Sequence, residues 1–189
     1  MFKHSVIKRD DGDHLTVWVH NSYEESTIAE PQPNKRKVKV IEELHGTSNA
    51  DKCGHSTIVP DNGPHAPFVG GVTMIQDWAA DRVGSFIFRH QNTEWTSLVV
   101  AGSNSGSNAH FRGRNVYNVR TWLGTHDIHN LCRDSIKEHK KSYDGRWRVR
   151  THGRMRCDSM DPTCDLQICG IFPQNTDLDW QIGWYTGTV

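Results

Sequence analysis

The chain has little of what a membrane protein or a helical bundle needs. Apolar residues make up 35% of its 189 residues and leucine is scarce. No apolar run approaches the ~18 residues of a membrane span, so no transmembrane segment is expected. The opening MFKHSVIKRDDGDH lacks an apolar h-region and does not read as a secretory signal. No Asn-x-Ser/Thr sequon occurs. On those grounds the expected location is cytoplasmic, or outside the cell after release without a classical signal peptide.

Catalytic and cofactor signatures are also missing. There is no Gly-x-Ser-x-Gly for a nucleophile elbow and no His-Glu-x-x-His for a helix-borne zinc enzyme. The 102–108 run GSNSGSN lacks the lysine and helix of a phosphate-binding loop. No motif calls for a cofactor, and none is expected. The five cysteines, Cys53, Cys132, Cys157, Cys164 and Cys169, do not follow Cys-x2-Cys zinc spacing. Being odd in number they leave at least one thiol over, and the plain expectation is free or buried thiols with one local disulfide.

What is present is a charge polarity and an alternating basic strand. Residues 111–156 hold twelve Lys/Arg against four Asp/Glu, whereas 157–189 hold five Asp and no Lys/Arg. A formal net charge of zero thus conceals a two-signed molecule. Within the basic part, Gly145-Arg146-Trp147-Arg148-Val149-Arg150 sorts cleanly with a period of two. This predicts an antiparallel strand with Trp147 and Val149 in the core and the three arginines facing outward.

The rest of the chain reads as β-rich. Residues 14–20 (HLTVWVH) and 35–44 (KRKVKVIEEL) alternate like strands. Residues 45–71, rich in Gly, Pro, Asn and His, read as a long surface loop with one short strand at 56–59. Segments 71–79, 116–122, 165–172 and 179–185 read as strands, and 84–101 as a hairpin turning at Gln91-Asn92-Thr93-Glu94. Residues 127–141 (DIHNLCRDSIKEHKK) form the expected helix: Ile128, Leu131, Cys132 and Ile136 share a face and Asp127 can cap it. The fold class that follows is mainly β, an antiparallel β-sandwich with one short helix near 127–141. It is expected as one domain over 1–189, with the 45–71 loop and an acidic C-terminal extension at 157–189.

Several constellations could carry chemistry. His126, Asp127 and His129 are candidate metal ligands, although polar residues at a helix start are the plainer reading. His110, His126, His129 or His152 beside Arg112, Arg148 or Arg150 and Glu94 could cleave a phosphodiester, His moving protons and Arg stabilising the charged transition state. Trp95, Trp122, Trp147, Tyr117 and Tyr143 interleaved with arginines could stack bases and hold phosphates, or stack on a sugar and grip its hydroxyls. Overall neutrality makes nucleic acid the less favoured partner. The acidic tail could also pack across the basic face and cancel it.

The order LTVWVHNS, KVKVIEEL, GSFIF, WTSLVVAG, NVRTW, a short charged helix, YDGRWRVR and DLQICGIF resembles the fungal fruit-body lectin family over residues 14–172. Gly84-Ser85-Phe86-Ile87-Phe88, Asn118-Val119-Arg120-Thr121-Trp122 and Gly145-Arg146-Trp147 are similar to three of its segments. The family's Ser-Gly pair falls here on Ala80 and Asp81, and its Trp-Cys-Asp segment on Trp122-Leu123-Gly124, which loses the acidic residue. The resemblance implies an actinoporin-like β-sandwich that binds galactose-containing glycans or N-acetylglucosamine. It implies a site of Asn118, Tyr117, Arg120, Trp122, Arg148 and Arg150, with glycans or glycoconjugates as partners and a homo-oligomer supplying avidity. The alternatives are a toxin-like or nuclease-like hydrolase, and a membrane-active or assembly-forming structural protein whose basic aromatic surface takes lipid head-groups.

Overall fold

The computed structural model describes residues 2–8, 14–25, 50–89, 93–103, 109–117, 119–160 and 174–187. It is mainly β, with an antiparallel sheet nearly closed on itself. The strands are β1 (Phe2–Lys8), β2 (His14–His20), β3 (Tyr23–Glu25), β4 (Cys53–Ser56), β5 (Val59–Pro60), β6 (Gly84–Phe88) and β7 (Thr96–Ser103). They continue with β8 (Ala109–Asn115), β9 (Arg120–Gly124), β10 (Lys141–Tyr143), β11 (Arg146–Arg148), β12 (Thr151–Met160) and β13 (Gln174–Trp184). Two helices are described, α1 (Val69–Ala80) and α2 (Thr125–His139).

The main sheet runs β1-β2-β7-β8-β13-β12-β9-β6-β3. β12 is long enough to meet β13 along one edge and β5, β4 and β9 in turn along the other. The inner face of the sheet carries Val17, Val99, Phe111, Leu178, Trp180, Ile182, Phe86 and Leu123, all buried. Trp180 stacks nearly parallel on Phe111 at 5.9 Å, and its indole N–H donates to Ser56 Oγ at 2.7 Å. The helices pack on one another; α1 lies against β2, β7 and β8, and α2 against β6 and β9.

The 14–20 strand is found as read, and the helix expected at 127–141 is α2, displaced by two residues. Other expectations are corrected. Segment 71–79 is helix, not strand: Gly71, Val72, Met74, Ile75, Trp78 and Ala79 are its buried residues, a 3.6-residue stripe. Segment 84–101 is not a hairpin, since β6 pairs with β9 and β3 while β7 pairs with β2 and β8. The 45–71 loop holds β4, β5 and the start of α1. Among the described residues the disulfide is a distant one: Cys53 on β4 is bonded to Cys157 on β12, 104 positions away, while Cys132 is a buried free thiol. The expected strands at 35–44 and 165–172, together with Cys164 and Cys169, lie outside the described residues.

The basic strand is corrected most sharply. β11 ends at Arg148 and pairs with β10 in a two-stranded hairpin separate from the main sheet, with one further bridge from Arg148 to Phe68. Its arginine face is turned to the body: Arg146 and Arg148 lie over the Phe68 ring at 5.4 and 4.0 Å. Trp147 therefore points away and is 55% exposed. Val149 reaches the core because the chain has by then left the hairpin, its N–H donating to the Pro67 carbonyl. Cation–π stacking on Phe68 reverses the facing that hydrophobic patterning alone would choose.

Candidate anion-binding cleft

Two adjacent strands put their outward side chains in register. Along β13 these are Asp177, Asp179, Gln181 and Gly183; along β8 they are Arg114, Arg112 and His110. Asp179 pairs with Arg114, and from the other side with Arg154 of β12 at 2.7 Å. Asp177 reaches Arg156 at 3.8 Å. The acidic C-terminal stretch thus cancels part of the basic face, as the charge polarity allows. One step further the compensation stops. Arg112 faces Gln181, a neutral acceptor for its Nε at 2.6 Å, in place of a carboxylate.

Beside Arg112 a cleft of about 550 Å³ opens, lined by Arg112, Arg148, Arg150, His110, Gln181 and Trp184 among others. Burial first, and then the neighbouring charges of Arg114 and Arg150, pull Arg112 below the usual arginine range. Arg150 has a carboxylate partner, Asp61, at 2.7 Å, and its Nε donates to the Asp61 carbonyl. Arg148 donates from Nη1 to the Ala66 carbonyl at 2.7 Å, while its Nε is buried without a hydrogen-bond partner. Among the described residues only one of the three guanidinium groups, that of Arg150, therefore has a carboxylate partner. Guanidinium forks held in this way suit planar or tetrahedral oxyanions: carboxylate, sulfate or phosphate.

His110 forms part of the cleft wall. Its Nδ1 is 2.9 Å from Ser97 Oγ, and its ring sits where Gly183 has no side chain; a Cβ there would stand 2.9 Å from Nε2. Burial, helped by the Arg112 charge, pulls His110 down to about 4, so it is neutral at physiological pH.

The residues expected from sequence are divided. Arg148 and Arg150 line the cleft. Arg120 and Trp122 lie together on β9, guanidinium over indole at 5.1 Å, and neither lines the cleft. Tyr117 is 58% exposed in the β8–β9 turn, also away from the cleft, and Asn118 lies outside the described residues. His110, Arg112, Arg148 and Arg150 of the acid–base inventory do come together. His126, His129 and Glu94 do not join them, and exposed His152 faces Gln181 across the β12–β13 pair.

The His126, Asp127 and His129 group serves the helix start. The Asp127 carboxylate accepts from the backbone N–H groups of Gly124 (2.9 Å), Lys52 (3.0 Å) and Cys53 (3.3 Å). His129 Nδ1 is 3.2 Å from the Gln76 carbonyl, and His126 is 3.8 Å from Asp51. Among the described residues no group of three His, Cys, Asp or Glu side chains is disposed to hold a metal. Sequence reasoning passed over His65, Gln181 and Trp184, which enter the cleft only through tertiary register.

A family model covers residues 52–157, more than half of the chain, and runs almost from one half-cystine to the other. The chain belongs to the Hce2 family. Its description is that of a pathogen effector, with necrosis induction as the conjectured activity. This corrects the resemblance to the fungal fruit-body lectins, which rested on short strand-like matches common to alternating β sequences. The cytoplasmic expectation is corrected too, because an effector acts on cells other than the one that makes it. The Hce2 half-cystines agree: a disulfide joining distant strands belongs to an oxidising compartment. No curated protein and no solved structure matches the chain. Among the described residues no helix is long and apolar enough to cross a membrane.

Proposed function

We propose that this Hce2 protein is a toxin-like effector that works by capturing an anionic group of its target in the arginine cleft. The observation that carries this reading is the imbalance of charge: Arg112, Arg148 and Arg150 converge with Asp61 as their one carboxylate partner among the described residues. An anion entering there replaces repulsion between Arg112 and Arg150 with two sets of charge-assisted hydrogen bonds. The family description favours this toxin-like reading over the carbohydrate binding that the lectin resemblance implied.

Two measurements test it. Inorganic pyrophosphate is expected to raise the melting temperature of the wild type and not that of Arg112→Gln. The same variant, folded by circular dichroism, is expected to lose killing of host tissue. Undiminished killing by Arg112→Gln, or no response of the wild type to pyrophosphate, overturns the proposal.

A second reading, phosphodiester hydrolysis, is supported by neutral His110 standing next to Arg112 in the same cleft. It requires RNA or DNA cleavage that His110→Gln abolishes. A single buried imidazole far below its ordinary range is a weak base, which favours binding over hydrolysis.

A further inference from the structure

The β10–β11 hairpin is built as a rigid protrusion. Asp144 and Gly145, with φ of 51° and 74°, make the left-handed two-residue turn that such hairpins favour. Both feet are fastened by one side chain: Asn62 donates from Nδ2 to the His139 carbonyl and accepts the Arg150 N–H on Oδ1. Arg146 and Arg148 press the inner face onto Phe68. On the outer face Trp147, opposite Ser142, stands free of the core beside exposed Lys140; Lys141 and Arg146, also exposed, alternate with that pair onto the other face of the hairpin. The Lys140 ammonium sits 5.4 Å from the indole centroid.

The protrusion thus carries a 55% exposed indole with an ammonium on its ring and further exposed cations on the same narrow hairpin. We propose that this hairpin docks on the surface of an anionic lipid bilayer. Trp147 would sit at head-group depth, where its amphipathic ring is most at home, with Lys140 and Lys141 at the hairpin's foot on lipid phosphates and carboxylates. Charge complementarity selects an acidic surface over a neutral one. Stacked nucleic acid fits less well, because the other rings beside basic groups are already covered: Trp95 by Arg112 and Arg114, Phe68 by Arg146 and Arg148, Trp122 by Arg120. A lone indole with an ammonium on its face does not make a run of base platforms. The proposal stands beside the cleft reading and does not rest on it. Arg148 belongs to both regions, so the test uses other residues.

The experiment is flotation of the full chain with vesicles of phosphatidylserine and phosphatidylcholine, against phosphatidylcholine alone. Binding is expected on the acidic vesicles only and to fall as salt is raised. Trp147→Ser is expected to weaken it about tenfold, from loss of the buried indole, while Trp147→Phe keeps most of it. Lys140→Gln with Lys141→Gln should flatten the salt dependence. Pyrophosphate stabilisation is expected to survive in Trp147→Ser, which separates this surface from the cleft. The proposal is overturned if the wild type stays off acidic vesicles or if Trp147→Ser binds them as well as the wild type. A Trp147-dependent affinity for single-stranded RNA above that for vesicles overturns it equally.

Discussion

Asn62 Oδ1 accepts the backbone N–H of Arg150 at 2.6 Å, and the amide's other end holds the carbonyl of His139, so one side chain from the loop before α1 closes the base of the β10–β11 hairpin. Both bonds are lost in Asn62→Ala, which leaves two backbone groups without their partner. The cost expected is about 1–3 kcal/mol, read as a lowered denaturant midpoint. Amide exchange over 141–148 should quicken more than exchange in the main sheet. Uniform exchange across the molecule would mean that the hairpin is held by something other than this clamp.

The disulfide between Cys53 and Cys157 is the second brace. It spans 104 positions and ties β4 to the middle of β12. Cross-linking so distant a pair restricts the unfolded chain, and removing such a bond typically costs about 2–5 kcal/mol. Chemical denaturation of the oxidised and reduced protein should show a loss of that order. Cys53→Ala with Cys157→Ala should remove that part of the response to reductant.

Asp127 closes the start of α2 by taking three backbone N–H groups. Burial, opposed by the amides of Lys52 and Gly124 and reinforced by Asp51, pushes its carboxyl up to about 7. Asp127→Ala strands those donors beneath the helix and should cost roughly 2–4 kcal/mol. Asp127→Asn keeps one acceptor oxygen and should cost less. A raised folded-state value places the stabilising effect below the ordinary carboxylate value of 3.8 and removes it as pH climbs through about 7. Stability of the wild type measured from pH 4 to pH 7 should therefore carry a downward contribution that Asp127→Asn lacks.

His110 contributes with the opposite slope. Its folded value of about 4 lies below the 6.5 of an exposed imidazole, so the unfolded chain takes up the proton first. The stability it provides is complete above pH 6.5 and is lost as pH falls through about 4. The loss is at most about 3 kcal/mol at one pKa unit per 1.36 kcal/mol. His110→Gln, compared with the wild type by melting at pH 7 and pH 4.5, should be the less acid-sensitive of the two. Equal acid sensitivity in both proteins would mean that another group titrates in this range.

How much of this could be read from the chain differs from element to element. Strand β2 was legible to the residue because His14 to His20 alternates without interruption. Helix α2 was legible because Ile128, Leu131 and Cys132 are spaced for one face and a charged face opposes them. Helix α1 carried an equally good stripe, but Gly70 and Gly71 disfavour a helix, Val72 and Thr73 favour a strand, and the packing overrode those preferences. Trp147 was misplaced because alternation fixes which residues share a face without saying which face meets the core. Here Phe68, remote in sequence, decided it. Of the cleft, the basic residues were visible as a population. Their meeting point depends on Arg112 lying opposite Gln181, a register set across two strands that no local pattern encodes.

The position of β13 has a consequence for anyone handling the protein. It lies outside the segment that defines the family, yet it is inserted between β8 and β12, which belong to that segment. Cutting the chain back to 52–157 would pull out a central stave: Trp180 would leave an empty slot against Phe111, Arg114 and Arg154 would lose their shared carboxylate, and the bared facing edges of β8 and β12 would invite aggregation.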